Sequence, residues 1–451
     1  MKTMSNQIYR IKDFSFRYPF QQNGIRWNGE FSINEQDFIL LRGNSGSGKS
    51  TLLYTLKGLI PEHINGILEG ILEFRGHDIR SLSARDKMKS GLLFQNPVSQ
   101  MIQRDVRQEL AFGLENLNFI SADIDHKINK VLSDFGMQEL LYRPLIYLSG
   151  GEMQKVALLS ILLTEPEIVL LDEPTAFLDP KSASELLNVL SKFLDERTAV
   201  IVEHNLSYLK SHLSRSIEID KEGNFFELQL SEIDWEPELP ALERSSGGKE
   251  VLHLDKLCYS YPGKEIFKDV DFSMNEGQII SITGENGIGK STLLKLISGV
   301  IRDYSGSILL KGKEVRRYKR DELFSHIGLL FQNPENHFIF QTVEEEIGYQ
   351  QEYLKSIGLT GHETQNPYTL SEGEKRRLSL AIVQSMNRQI LLLDEPTFGQ
   401  DLENKVKLIK MISEIRKSGK SILIVSHDLP FVQAISDEIY TLTKQGFSRF
   451  D

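Results

Sequence analysis

The sequence predicts an α/β fold built twice, as two tandem units with a mainly parallel sheet at the core of each. Three observations predict it. The glycine-rich segment GNSGSGKST at 43–51 returns as GENGIGKST at 284–292. LLFQNP stands at 92–97 and again at 329–334, and LLDEPT at 170–175 and again at 392–397, always in the same order. Around each glycine segment the chain reads apolar strand, tight loop, then helix, in DFILLRGNSGSGKSTLLYTLKGL and QIISITGENGIGKSTLLKLISGV. Self-similarity along the whole chain means a tandem duplication.

G-x-x-x-x-G-K-[ST] between a strand and a helix is the phosphate-binding loop of P-loop NTPases. Its backbone amides and the following helix N-terminus face anionic oxygens. The candidate nucleotide-binding residues are Gly43, Asn44, Ser45, Gly46, Ser47, Gly48, Lys49, Ser50 and Thr51, and in the second copy Gly284, Glu285, Asn286, Gly287, Ile288, Gly289, Lys290, Ser291 and Thr292. Lys49 and Lys290 are expected to reach the terminal phosphates, and Ser50 and Ser291 to bind Mg²⁺. EIVLLDE and QILLLDE read as buried parallel strands whose acidic ends face the ligand. Asp172 and Asp394 are placed to hold Mg²⁺, and Glu173 and Glu395 to polarise an attacking water.

Length and composition set the outer limits. With 451 residues and 51.5 kDa, the chain has room for two ordinary domains, and 40% hydrophobic with 25% charged residues is a globular composition. The single cysteine, Cys258, excludes a disulfide framework and a cysteine-rich zinc site, and fits a reducing compartment. MKTMSNQIYRIKDFSF lacks the apolar centre of a signal peptide, and no apolar run approaches the ~20 residues of a membrane helix. A net charge of −11 argues against nucleic acid as the main partner. The expected domains are 1–231 and 251–451. The acidic, then Pro-, Ser- and Gly-containing stretch 232–250 between them reads as a linker. The copies differ most between Gln95 and Ser149, a stretch that is shorter between Gln332 and Ser371 by about one helix.

Taken with LSGGE at 148–152 and LSEGE at 370–374, the ordered set resembles an ATP-binding cassette (ABC) nucleotide-binding domain, twice over and along nearly the whole chain. The resemblance implies ABC-type units, each with a parallel core, an antiparallel β part and a helical subdomain, and an ATPase using ATP and Mg²⁺. It implies that the signature residues Ser149, Gly150, Gly151 and Glu152, with Ser371, Glu372, Gly373 and Glu374, cap a nucleotide held by the opposite domain. Two sites would then form within one chain, with no homodimer needed. Gln95 and Gln332 resemble the glutamine that senses Mg²⁺ and the attacking water. His204 and His427 resemble the switch histidine, Asp179 and Asp401 the aspartates that communicate between cassettes, and Tyr18 and Tyr261 the aromatic that stacks on adenine. Glu372 stands where the first copy has Gly150. It is expected to point outward; the alternative is a carboxylate that weakens one site.

FQNPVSQ followed by VRQELAFGLEN, and FQNPENHF followed by VEEEIGYQ, look like the ATPases of energy-coupling factor (ECF) importers of vitamins and transition metals. VEHN at 202–205 also resembles fused, two-cassette members of that group. The expected partners are integral membrane subunits, one coupling and one substrate-binding. The expected location is peripheral, on the cytoplasmic side of the membrane. His337 replaces Gln100, which leaves a shared role for that position open. Competing readings are a soluble tandem ABC ATPase of translation or DNA repair, and the ATPase of another transporter class. A translation factor would show a long charged helical linker and a basic surface, and a repair ATPase large insertions and zinc cysteines.

Overall fold

The computed structural model describes the chain apart from residues 1–5, 20–23, 45, 176–177, 179, 195–196, 204–209, 211–212, 221, 236–237, 246, 262–263, 286, 444–445 and 451. Ser45, Asp179, His204 and Asn286 lie outside the described residues. The chain divides into two units, Met1–Glu236 and Pro237–Asp451.

Both units are built on six strands in one order. In the first unit Phe225–Leu228, Arg215–Ile219, Phe38–Gly43, Thr198–Val202, Ile168–Asp172 and Ser90–Leu93 lie side by side. Gly446–Arg449, Glu438–Thr443, Ile279–Thr283, Ser421–Val425, Ile390–Asp394 and Ile327–Leu330 repeat that sequence in the second. Neighbours are parallel except at the outermost pair, which is antiparallel in each. Parallel strands covered on both faces need unbroken apolar runs rather than alternation. IVLLD, TAVIV, IISIT, ILLLD and SILIV meet that requirement, with every residue buried.

A second, antiparallel sheet flanks each core. Gln7–Arg17 pairs with Ile25–Arg26, Glu30–Asn34 and Ile67–Phe74, and Glu250–Tyr261 pairs with Lys264–Asn275 and Ser305–Leu310. The first helix of each unit, Lys49–Leu56 or Lys290–Ile297, packs between the two sheets, contributing Leu52, Leu53 and Leu56 to one core and Leu293, Leu294 and Leu296 to the other.

The helical segments differ, and not by the loss of one helix. The first unit has Val106–Asn116 and Ser121–Asp134, of 11 and 14 residues; the second keeps both as Val343–Glu346 and Gln351–Ser356, of 4 and 6. Spacing in sequence counts residues but not how a deletion is shared between elements. The consequence is in the packing. The longer helices of the first unit enclose a separate apolar cluster around Leu110, Ile128, Leu132 and Leu159. Val343, Ile347, Leu354 and Ile357 instead join the cluster beneath the main sheet.

The stretch expected as a linker is seated at both ends. Ile233 and Trp235 pack on the first unit's core, Leu239 and Leu242 on the second's, and the Leu242 amide donates to Ala434 O at 2.7 Å. Among the described residues, no helix is long and apolar enough to cross a membrane.

Candidate nucleotide sites

Each phosphate loop leaves the sheet at an inner strand. Gly48 and Gly289 end the loops with φ of 91° and 115°, and a Cβ at either would lie 2.5 Å from Ile25 or Ile266. Left-handed backbone and absence of room together demand glycine there. Lys49 Nζ donates to the carbonyls of Gly43 and Asn44 at 2.8 and 3.0 Å, and Lys290 Nζ to Gly284 and Glu285 at 2.8 and 3.1 Å. Both ammonium groups are thus arched over their own loops. In the first unit the buried indole of Trp27 donates from Nε1 to Ser47 O at 2.8 Å. Phe267 packs against the second loop and has no such donor.

The acids come from the strand beyond the neighbour of the loop strand. Asp172 and Asp394 are buried strand ends paired in register with Val202 and Val425. Ser291 Oγ donates to Asp394 Oδ1 at 3.0 Å, so a helix-start hydroxyl and a strand-end carboxylate meet, as an oxygen-ligated divalent cation requires. Burial pushes the Asp394 carboxyl up to about 6, against the Ser291 hydrogen bond. Ser291 and Asp394 fit Mg²⁺; Ser50 and Asp172 occupy the same positions in the first unit.

Glu173 and Glu395 follow with φ of 50° and 48°. Left-handed backbone is uncommon outside glycine and persists where surroundings enforce it. Here the Glu173 and Glu395 amides donate to Val202 O and Val425 O at 2.9 and 2.8 Å. The same unfavourable turn, made twice, aims both carboxylates out of the sheet. Gln95 Nε2 donates to Glu173 Oε2 at 3.0 Å. Glu395 Oε2 lies 3.0 Å from His427 Nδ1 and accepts the His427 amide at 3.3 Å. Burial alone would push His427 down; the Glu395 carboxylate outweighs it and holds the imidazole above its ordinary value. Gln332 is exposed, and it is its carbonyl that is held, by Arg376 at 2.6 Å.

Both signature serines are helix N-caps in a capping box. The Glu152 and Glu374 amides donate to Ser149 and Ser371 Oγ at 3.3 and 3.4 Å, and the two carboxylates accept the serine amides in return at 2.7 and 2.9 Å. Glu152 and Glu374 therefore face their own caps. Glu372 is half exposed, with Oε1 3.1 Å from Lys375 Nζ. A Cβ on Gly373 would come within 2.6 Å of Asn404 Nδ2, so a larger residue here would push the Asn404 side chain of a neighbouring helix aside. Tyr18 reaches Thr51 Oγ1 with its hydroxyl at 3.0 Å, whereas Tyr261 is exposed with its ring edge-on to Tyr259.

The position left open by sequence proves equivalent in the two copies. Gln100 Oε1 accepts the Phe94 amide at 3.1 Å, and His337 Nε2 accepts the Phe331 amide at 3.0 Å. Below each, Glu109 accepts the Ile102 and Gln103 amides, and Glu346 the Ile339 and Phe340 amides. Beside the first of these loops lies a cavity of about 280 Å³ lined by Phe94, Gln100, Ile102 and Phe112. Sequence reasoning missed Trp27, Arg376 and Glu203, whose carboxylate accepts the Thr175 hydroxyl at 2.8 Å. Only VEHN carried a signal, an acid beside the histidine in an otherwise apolar strand exit.

A family model described as ABC transporter matches residues 28–176 and 267–398. A putative HMP/thiamine import ATP-binding protein of Bacillus subtilis (strain 168), YkoD, is 31% identical, across 98% of this chain and 91% of its own. A putative ABC transporter ATP-binding protein of Sulfurisphaera tokodaii is 34% identical, across 96% and 95%. Among solved structures, a model of ribosome-bound archaeal Pelota and ABCE1 superposes with a TM-score of 0.71 over 97% of this chain and 78% of that one, at 19% identity. That last likeness is one of fold.

Proposed function

The chain belongs to the ABC transporter family in both of its halves, and from that premise we propose that it is the energy-coupling ATPase of an ECF-type importer for a vitamin or transition-metal micronutrient, working with separate membrane subunits. One observation carries the reading: two complete motif sets in a single chain, aligned nearly end to end with the putative HMP/thiamine import ATP-binding protein.

In this reading Lys49 and Lys290 leave their loop carbonyls to meet the terminal phosphates, and the helix N-termini behind them favour the added negative charge. Ser50 and Asp172, and Ser291 and Asp394, hold Mg²⁺, which when bound neutralises charge on the phosphate oxygens. Glu173 and Glu395 accept the proton of the water that attacks the terminal phosphorus as the bond to the bridging oxygen breaks and ADP leaves. Gln95 orients that water beside Glu173, and His427 orients Glu395. Tyr18 and Tyr261 offer faces for the adenine, and Ser149, Gly150, Gly151, Ser371 and Gly373 line the signature turns that meet phosphate. The cavity beside Gln100, lined in part by the exposed Ile102 and Phe112, receives an apolar helix of the membrane subunit.

Affinity purification from membranes of a cell that makes this chain, followed by mass spectrometry, tests the assignment. Membrane subunits of an importer are expected; ribosomal proteins in their place would refute it.

A further inference from the structure

In and beside the second signature loop, four positions that are uncharged in the first unit carry charge. Val98, Gly150, Met153 and Gln154 in the first unit correspond to Glu335, Glu372, Lys375 and Arg376 in the second. Four uncharged side chains have become two acids and two bases. Three of them are joined through Lys375, and the fourth holds the neighbouring backbone. Lys375 Nζ, nearly buried, lies 2.6 Å from Glu335 Oε1 and 3.1 Å from Glu372 Oε1. Arg376, buried, donates from one terminal nitrogen to Gln332 O at 2.6 Å and to Phe331 O at 3.4 Å. A buried cation persists only where partners offset its desolvation, and each base here holds the same short segment, 331–335, to the signature helix.

We propose that Glu335, Glu372, Lys375 and Arg376 form a charge-balanced brace, a set of positioning residues that holds the Gln332 loop against the signature helix and keeps the Gln332 side chain off the second nucleotide site. The first unit lacks these four charges. Its glutamine is half buried and bonded to the catalytic-acid candidate at 3.0 Å. In the second unit no bond from Gln332 reaches Glu395 among the described residues, and Glu395 lies beside His427. Glu372 is in this view neither a tolerated accident nor a repulsive group at the phosphate. It is the outer anchor of Lys375.

The inference rests on the reading of these sites as Mg²⁺–nucleotide sites, and the test separates the two. Affinity for a fluorescent ATP analogue is measured with Mg²⁺ and with EDTA, in a Lys49→Ala background that reports the second site. Reverting the brace with E335V, E372G, K375M and R376Q together is expected to raise the Mg²⁺-to-EDTA affinity ratio about fivefold, the worth of one hydrogen bond gained near a charge. The reciprocal graft, V98E, G150E, M153K and Q154R in a Lys290→Ala background, is expected to lower the ratio at the first site by a similar factor, and it decides the question if the reverted chain does not fold. An unchanged ratio in the folded variants overturns the brace and leaves the nucleotide sites standing. Absence of Mg²⁺-dependent binding in the unaltered chain overturns both.

Discussion

Glu395 meets His427 through both the ring nitrogen and the backbone amide, so its carboxylate is fixed before any substrate arrives. Glu395→Gln and Glu173→Gln keep the shape of the site but not the basicity. They are expected to bind ATP normally while hydrolysis falls about a hundredfold or more, measured by phosphate release beside nucleotide titration. Lys290→Ala and Lys49→Ala are expected to weaken binding itself. His337 offers a sharper test of environment. Burial pushes its imidazole down to about 4, helped by the nearby Arg376 charge, and the neutral ring accepts the Phe331 amide. The unfolded chain thus binds a proton between about pH 6.5 and 4 that the folded chain refuses, so stability should be full above that window and fall as pH drops through it. His337→Gln, which copies Gln100, is expected to flatten that loss, worth roughly 1–3 kcal/mol at pH 4, in denaturant melts at pH 4 and 7. The loop glycines, lysines and strand-end acids were legible residue by residue, because phosphate chemistry fixes their spacing. Trp27 and Glu203 were not, since their partners lie far off in sequence.

At the scale of elements, the signature helix Glu372–Ser385 is tied to its neighbour Leu402–Lys417 by Gly373 against Asn404 and by Arg377, which bonds Asn404 Oδ1. Gly373→Ala relieves no strain and forces Asn404 aside. It is expected to cost on the order of 1–3 kcal/mol by overpacking, which for a unit of this size lowers the midpoint by a few degrees. Calorimetry checks this, with Gly361→Ala, whose Cβ would meet nothing, as a control for backbone strain alone. Strands were the most readable elements: apolar runs of five with acidic ends admit few alternatives. The paired short helices of the second unit were not readable. Val343–Glu346 starts with a capping box at Thr342 and runs one turn, too short for any apolar period to appear.

At the scale of the whole molecule, duplication was plain because every motif recurs in order, and the seating of 232–250 was hidden because its apolar residues are too sparse to show a period. With a net charge of −11, the chain alone is expected to be repelled by anionic lipid, so the membrane attachment that the proposed function calls for would run through a protein partner. In flotation with phosphatidylserine vesicles the chain alone is expected to stay at the bottom of the gradient; rising with the lipid would contradict this. The separate apolar cluster of the first unit's helices has a kinetic consequence. A lobe with its own core can open while the rest of its unit stays folded, whereas helices sharing the core beneath the sheet cannot. Amide hydrogens of 106–134 should therefore exchange as one block, with an opening free energy well below that of the strands they precede. Those of 343–357 should hold until their whole unit lets go, so the two halves of a duplicated chain would keep different time.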